Sequence, residues 1–272
     1  MAGIVAFFIW NKIKADTQKY NPVVEQNDIK TTPSNQIVDG PDTRNKVPVP
    51  ILMYHHIRNY NDPNDKVGTN LSVPPENFKA QIDYLKNNGF TTITFREFLD
   101  FPTRKLPDKP IILTFDDGYQ DTYDVAFHNL KSNEQIGVFY IISGFLGRPE
   151  FMTAPEVKEI SDAGMEIGSH TIDHPDLTKL SAEKLSTELI ESKSKLESII
   201  GRTIISFCYP AGQQNAAVDA AVANTGYKTA TTTNMAISST SEEKFALSRL
   251  RINPEDSLSY FADKIVNYKS QK

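Results

Sequence analysis

The alternation of short apolar, β-branched segments with amphipathic stretches of helical period constrains the fold of this chain more than any other feature of its sequence. Segments of four to eight residues with this character occupy 50–57, 91–94, 110–115, 136–142, 165–169, 204–209, 227–232 and 247–252. Seven or eight strands separated by helices are typical of parallel strands joined by right-handed crossovers. The pattern therefore predicts an α/β fold, either a barrel or a doubly wound sheet.

Three of the intervening stretches carry clear helix signals. Thr153 and Glu156 have the spacing of a capping box, which predicts a helix over 154–163. The stretch 77–89 has apolar residues three and four apart, and the longest helix is predicted over 181–200. At 272 residues, the chain has the length of a single barrel domain with extensions.

The first 47 residues differ from the rest of the chain. The apolar run 2–10 is shorter than the roughly 20 residues that a bilayer-spanning helix needs, and it lacks the basic start and cleavage site of a signal peptide. We interpret residues 1–14 as the remnant of a membrane anchor, with a docked amphipathic segment or an alternative start as the other interpretations. Residues 15–47 are polar and interrupted by prolines, which predicts a flexible tether. The folded domain is expected over 48–268.

Charge and cysteine content narrow the classes of function. The chain has 29 lysines and arginines against 34 aspartates and glutamates, a net charge of -5. This mild acidity argues against a nucleic-acid partner. The single cysteine, Cys208, rules out an intramolecular disulfide but does not decide the redox compartment.

Two adjacent carboxylates follow one of the predicted strands. Asp116, Asp117 and Gly118 come directly after the apolar segment 110–115, at the strand end where α/β folds place their sites. Neighbouring carboxylates repel each other unless a positive charge lies between them. The alternative is a turn that caps a helix starting near Tyr119.

Two histidines follow another predicted strand. His170 and His174 are four residues apart, but Gly168 before them and Pro175 after them favour a loop over a helix. Thr171 occupies the position where a helical zinc-protease motif needs glutamate. One aspartate and two histidines would bind a metal and leave coordination positions for water and substrate. The same ligand set also occurs in non-haem iron oxygenases, which remain an alternative.

These two segments carry a resemblance to a known family. TFDDG at 114–118 followed by SHTIDH at 169–174 resembles the first two motifs of carbohydrate esterase family 4, the NodB-like polysaccharide deacetylases. The resemblance covers roughly 48–268 and implies an irregular (β/α)7 barrel of the NodB-homology type. It also implies that Asp116 is the catalytic base, and that zinc or another divalent ion such as Co²⁺ or Ni²⁺ is bound by three ligands: Asp117, His170 and His174.

The third motif of the family is altered in this chain. The common form is Arg-Pro-Pro-Tyr-Gly, whereas residues 208–212 read Cys-Tyr-Pro-Ala-Gly. The resemblance implies that the backbone amide of Ala211 still stabilises an oxyanion, and that Tyr209 and Pro210 contact substrate. Cys208 replaces the arginine that orients the base and is interpreted as a buried apolar residue.

A replacement for that missing arginine is available in the last predicted strand. Arg249 or Arg251 could bring a positive charge to Asp116, and Arg249 is the preferred candidate. The alternative is that both arginines form ordinary ion pairs on the surface.

The general acid must also come from an unusual place, because no histidine follows His174. Tyr54 and His55 close the first predicted strand. They resemble the Tyr-His pair that supplies the acid in the subgroup that includes poly-N-acetylglucosamine deacetylases. This match selects His55 as the acid and Tyr54 as a substrate contact, with His56 as the alternative acid.

The resemblance implies removal of N-acetyl groups from a GlcNAc-containing polysaccharide, with acetate as product. Peptidoglycan, chitooligosaccharide or O-acetyl xylan are alternative substrates, and a non-catalytic glycan-binding module of the same fold is a further alternative. A monomer is expected, attached through its N-terminus to a bacterial membrane or otherwise extracellular.

Overall fold

The computed structural model describes residues 46–268, and seven parallel strands in this part of the chain close into a barrel. Each strand pairs with the next in sequence, and the seventh pairs with the first. This confirms the predicted barrel and excludes the doubly wound sheet. The strands are β1 (Ile51–Tyr54), β2 (Pro110–Phe115), β3 (Val138–Ile141), β4 (Glu166–Ser169), β5 (Ser206–Cys208), β6 (Thr229–Met235) and β7 (Leu247–Arg251).

Within residues 46–268, five shorter strands lie outside this ring. Pro48–Val49 pairs antiparallel with Ser238–Ser239, and His56–Ile57 pairs parallel with Ser72–Val73. Thr91–Thr92 pairs parallel with the first two residues of β2. The predicted strand over 50–57 is therefore interrupted at residue 55, and the segment predicted over 91–94 does not contribute to the barrel wall.

Helices fill most of the connections between strands. The predicted helices over 77–89, 154–163 and 181–200 are present with bounds shifted by one or two residues, and the Thr153–Glu156 capping box is formed. A π-helical segment, Thr122–Phe127, leads into the fourth helix. The helices are α1 (Lys66–Leu71), α2 (Pro75–Asn87), α3 (Phe95–Asp100), α4 (His128–Ser132), α5 (Ala154–Asp162), α6 (Ala182–Ile200), α7 (Ala216–Asn224) and α8 (Leu258–Asn267).

Side-chain alternation along the strands produces two apolar layers. Leu113 and Phe139 belong to the layer between the barrel and its helices. Ile112 and Val138, their neighbours in sequence, belong to the barrel interior. Towards the carboxyl ends of the strands the interior becomes polar, beginning at Thr114, whose hydroxyl accepts a hydrogen bond from a buried arginine. The polar end of the barrel is where a site can form.

Most of the predictions for the N-terminal part of the chain concern residues that the structure does not describe. The membrane-anchor remnant (1–14) and the tether (15–47, apart from its last two residues) lie outside the described residues. Within 46–268, no helix has both the length and the apolar character needed to cross a bilayer.

A buried ion pair holds α8 to the loop after β7. Lys264 and Asp256 are 3% and 6% exposed, and the ammonium group of Lys264 also donates to the carbonyl of Arg251 at 3.0 Å. Replacing Lys264 with methionine should lower the free energy of unfolding by about 3–5 kcal/mol, because it leaves a carboxylate buried without its partner. Urea unfolding measures this change.

The matched control is Lys79, which pairs with Asp83 on the exposed face of α2. Lys79→Met should change the free energy of unfolding by less than about 1 kcal/mol. Equal effects of the two substitutions would show that the buried pair does not have this structural role.

Candidate active site

A cavity of about 600 Å³ opens at the carboxyl end of the barrel strands. The two aspartates after β2, the two histidines after β4 and the histidine after β1 all reach its wall. The sequence segments predicted to carry chemistry therefore meet in one place. These residues are His55, Asp116, Asp117, His170 and His174.

Asp117, His170 and His174 bring together three atoms that could bind a metal ion. Asp117 Oδ1 lies 3.3 Å from His170 Nε2 and 3.7 Å from His174 Nε2. The left-handed backbone at Asp117 (φ 74°) and Gly118 (φ 81°) turns the chain sharply after β2, so that consecutive carboxylates can face one cavity. His170 Nδ1 is 2.7 Å from the carbonyl of Cys208, which fixes the ring with Nε2 towards Asp117.

This arrangement fits a divalent metal ion. Ligand distances of about 2.0–2.2 Å in tetrahedral zinc sites place neighbouring ligand atoms roughly 3.3–3.6 Å apart. Burial would raise the pKa of Asp117, but the hydrogen bond from His170 and the neighbouring imidazoles lower it, so the carboxylate is ionised. Burial and the charge of His170 lower the pKa of His174, which favours the neutral imidazole that binds metals.

Asp116 is paired with Arg249 inside the barrel. Arg249 is fully buried, and its Nη1 and Nη2 donate to the two oxygens of Asp116 at 2.7 and 2.8 Å. Burial alone would raise the pKa of Asp116, but the guanidinium lowers it below its ordinary value. The surface ion pair considered for Arg249 is therefore wrong, because β7 directs this side chain into the interior. Cys208 is fully buried beside the pair, as interpreted from the sequence.

The two histidines after β1 have different surroundings. His55 lines the cavity, with Nε2 3.8 Å from Asp116 Oδ2. His56 points elsewhere: its Nδ1 is 2.6 Å from Asp121 Oδ2, and its ring stacks on Tyr119. Burial lowers the pKa of His55, although the charge of Asp116 opposes the shift. Of the two candidates for the acid, the structure brings only His55 to the cavity.

The prediction that Tyr54 contacts substrate is wrong. Tyr54 is 1% exposed, its hydroxyl donates to Gln81, and its ring packs on Phe78 and Phe115 in the layer between barrel and helices. Alternation along β1 explains the error, because residues next to each other in a strand face opposite sides. When His55 faces the cavity, Tyr54 must face the helices.

The altered third motif forms a tight turn beside the cavity. Ala211 (φ 51°) and Gly212 (φ 71°) are left-handed, and a Cβ on Gly212 would lie 2.2 Å from Thr233 Oγ1. Ala211 is exposed at the cavity wall, where its predicted oxyanion contact remains a prediction. Tyr209 also borders the cavity, but its hydroxyl donates to the carbonyl of Phe245. Pro210 is buried between two residues that line the cavity, Tyr209 and Ala211, and its substrate contact remains a prediction.

Sequence reasoning missed one side of the cavity. Val67, Asn70 and Leu71 of α1 line it, and Val67 is 71% exposed. The polar segment around α1 has no apolar periodicity to reveal a helix. The sequence feature that could have predicted this helix is Asp65, an N-cap residue whose carboxylate accepts a hydrogen bond from the backbone N–H of Gly68.

Comparisons with known proteins agree with this geometry. A family model described as polysaccharide deacetylase matches residues 103–230, which include Asp116, Asp117, His170 and His174 but neither His55 nor Arg249. YxkH of Bacillus subtilis (strain 168), a protein classed with the polysaccharide deacetylases, is 32% identical over 229 residues, covering 84% of this chain and 79% of that protein.

Two further relatives are informative. The poly-β-1,6-N-acetyl-D-glucosamine N-deacetylase of Staphylococcus aureus (strain MRSA252) is 28% identical over 187 residues, covering 60% of this chain and 64% of that protein. The solved structure of Streptococcus pyogenes deacetylase PplD in complex with acetate is 31% identical, with a TM-score of 0.75, and the match covers 80% of this chain and 98% of PplD.

Proposed function

Because the chain belongs to the polysaccharide deacetylase family, we propose that it hydrolyses N-acetyl groups on a GlcNAc-containing polysaccharide of the bacterial cell surface or wall and releases acetate. The observation that carries the proposal is the position of Asp116. Its carboxylate is free of the three-ligand cluster yet lines the same cavity, where a general base is needed. We also propose that the protein lies at the cell surface, because the polymer is found there and the sequence predicts an N-terminal membrane anchor.

Asp117, His170 and His174 would hold the metal, which we propose to be Zn²⁺ or another divalent ion such as Co²⁺ or Ni²⁺. A bound ion of this kind activates water and polarises the carbonyl of the scissile amide. One carboxylate and two imidazoles match the ligands that such ions take in hydrolases.

The remaining steps fall to other residues at the cavity. Asp116, kept ionised by Arg249, takes a proton from the attacking water. The backbone amide of Ala211 donates to the oxyanion that forms. His55 donates a proton to the departing nitrogen, and its lowered pKa makes its protonated form a stronger acid.

Replacing His55 with glutamine should lower kcat about 10²–10⁴-fold, the range for loss of a general acid. His56→Gln is the matched control, since His56 faces Asp121 instead of the cavity, and its effect should be confined to stability. Acetate release and thermal unfolding, measured on both variants, separate the two effects. A larger loss of kcat in His56→Gln would reverse the assignment of the acid.

The substrate is tested by assaying acetate release from several acetylated polymers. Poly-β-1,6-GlcNAc is the first choice, since the Staphylococcus aureus relative is named for it. Peptidoglycan, chitooligosaccharide and O-acetyl xylan are the comparison substrates. We expect release from at least one N-acetylated glycan. Release from xylan alone would make the protein an esterase, and no release from any polymer in the presence of Zn²⁺ would contradict the proposed activity.

A further inference from the structure

Arg251 is a second arginine that β7 directs into the barrel. It lies two residues beyond Arg249, so the two side chains project to the same face of the strand, while Leu250 between them packs in the outer layer. Arg249 is fully buried against Asp116. Arg251 lies nearer the mouth, half-buried, in the wall of the active-site cavity.

The guanidinium of Arg251 has no counterion in the part of the chain that the structure describes. Within residues 46–268, no carboxylate lies within ion-pair distance of it and its side chain makes no hydrogen bond, although its backbone N–H and carbonyl are both used. Burial lowers its pKa, as does the charge of Arg249, although Asp116 opposes the shift. A half-buried cation without a partner costs free energy, so a ligand that supplies the partner gains affinity.

Hydrogen bonds to the Lys264–Asp256 ion pair fix the backbone at Arg251 and Asn253. Lys264 donates to the carbonyl of Arg251 at 3.0 Å and is paired with Asp256. Asp256 in turn accepts the backbone N–H of Asn253, a second residue of the cavity wall, at 3.1 Å. The buried ion pair therefore fixes both Arg251 and Asn253 relative to the cavity, which lowers the entropy lost when they bind a ligand.

The proposed hydrolysis does not require the positive charge of Arg251. The acetamido group is neutral, Asp116 is already paired with Arg249, and an ion held by Asp117, His170 and His174 would supply the positive charge of the reaction centre. A planar guanidinium with five N–H donors matches the oxygens of a carboxylate or a phosphate.

We propose that Arg251 forms a subsite for an anionic group, a carboxylate or a phosphate, carried by the glycan close to the GlcNAc that is deacetylated. This inference rests on the proposed function and narrows its substrate class to acidic GlcNAc-containing polymers, in preference to the neutral poly-β-1,6-GlcNAc that is the first polymer to assay.

The test compares each anionic probe with a neutral counterpart. The carboxylate probe is a tetrasaccharide of alternating GlcNAc and N-acetylmuramic acid, and its neutral counterpart is the methyl ester. The phosphate probe is a GlcNAc oligosaccharide bearing a 6-phosphate, with the unphosphorylated oligosaccharide as its counterpart. Steady-state kinetics with Zn²⁺ give kcat and KM, and calorimetry gives the affinity of each probe independently of turnover.

We expect at least one anionic probe to have a KM about tenfold lower than its neutral counterpart, the size of effect that a charge-assisted hydrogen bond produces. Arg251→Gln should abolish this preference, and Arg251→Lys should restore part of it. The control is Arg104→Gln, which removes the same charge from an exposed loop before β2, at the opposite end of the barrel. It should keep the preference.

Two results would overturn the subsite. One is the absence of any preference between charged and neutral probes in the wild-type protein. The other is an equal loss on both members of each pair in Arg251→Gln, which would place Arg251 in the reaction. If no probe releases acetate but calorimetry shows the charge preference, the proposed function fails while the subsite stands.

Discussion

Replacing Asp116 with asparagine is expected to lower acetate release by about 10²–10⁴-fold or more while metal binding is retained, because the base is lost but the ligands are not. Asparagine keeps the shape of the side chain and cannot accept a proton at neutral pH. Asp116 is paired with Arg249 and is not one of the ligand cluster Asp117, His170 and His174. The separation of activity from metal content is what distinguishes a base from a ligand.

The measurement is kcat together with zinc content for the purified variant. Asp124→Asn is the matched control, an exposed aspartate on the π-helical segment after β2 that accepts a hydrogen bond from Gln120. It should behave as wild type in both assays. Wild-type turnover in Asp116→Asn would mean that another group takes the proton. Loss of zinc together with activity would make Asp116 a ligand.

Replacing His170 with alanine should remove both zinc binding and activity. His170 is buried, is oriented by the carbonyl of Cys208, and places Nε2 against Asp117. Loss of an outer-shell partner of a metal ligand typically costs 10–100-fold in affinity, so loss of the ligand itself should cost at least about 100-fold. Competition with a chromophoric chelator measures the affinity. His128→Ala, an exposed histidine on α4, is the matched control.

Two variants locate the metal more sharply. Within residues 46–268, His170 belongs to two groups that could hold an ion, one with Asp117 and His174 and the other with Asp116 and Cys208. The second group is already occupied by the guanidinium of Arg249. His174→Ala should therefore weaken zinc binding and Cys208→Ala should not. The reverse result would move the metal to the second group.

Much of the site could be predicted from the sequence because its parts are short and contiguous. Asp116 and Asp117 adjoin the end of β2, and His170 and His174 follow the end of β4. Parallel strands in a barrel bring their carboxyl ends to one edge. Recognising where each strand ends was therefore enough to predict that these four side chains would lie together.

The remaining features depend on tertiary structure. Whether Tyr54 or His55 faces the cavity depends on where β1 breaks, and one residue of register reverses the answer. Whether Arg249 or Arg251 pairs with Asp116 depends on which residue of β7 lies beside the Asp116 carboxylate. The contribution of α1 was not predicted, because a short polar helix has no hydrophobic pattern.

Zinc titration of chelator-treated wild-type protein, with acetate release recorded at each addition, tests the central claim most directly. If Asp117, His170 and His174 hold one catalytic ion, activity should be absent without metal and rise to a plateau at one equivalent of zinc. Full activity in protein shown to be free of metal would contradict the account.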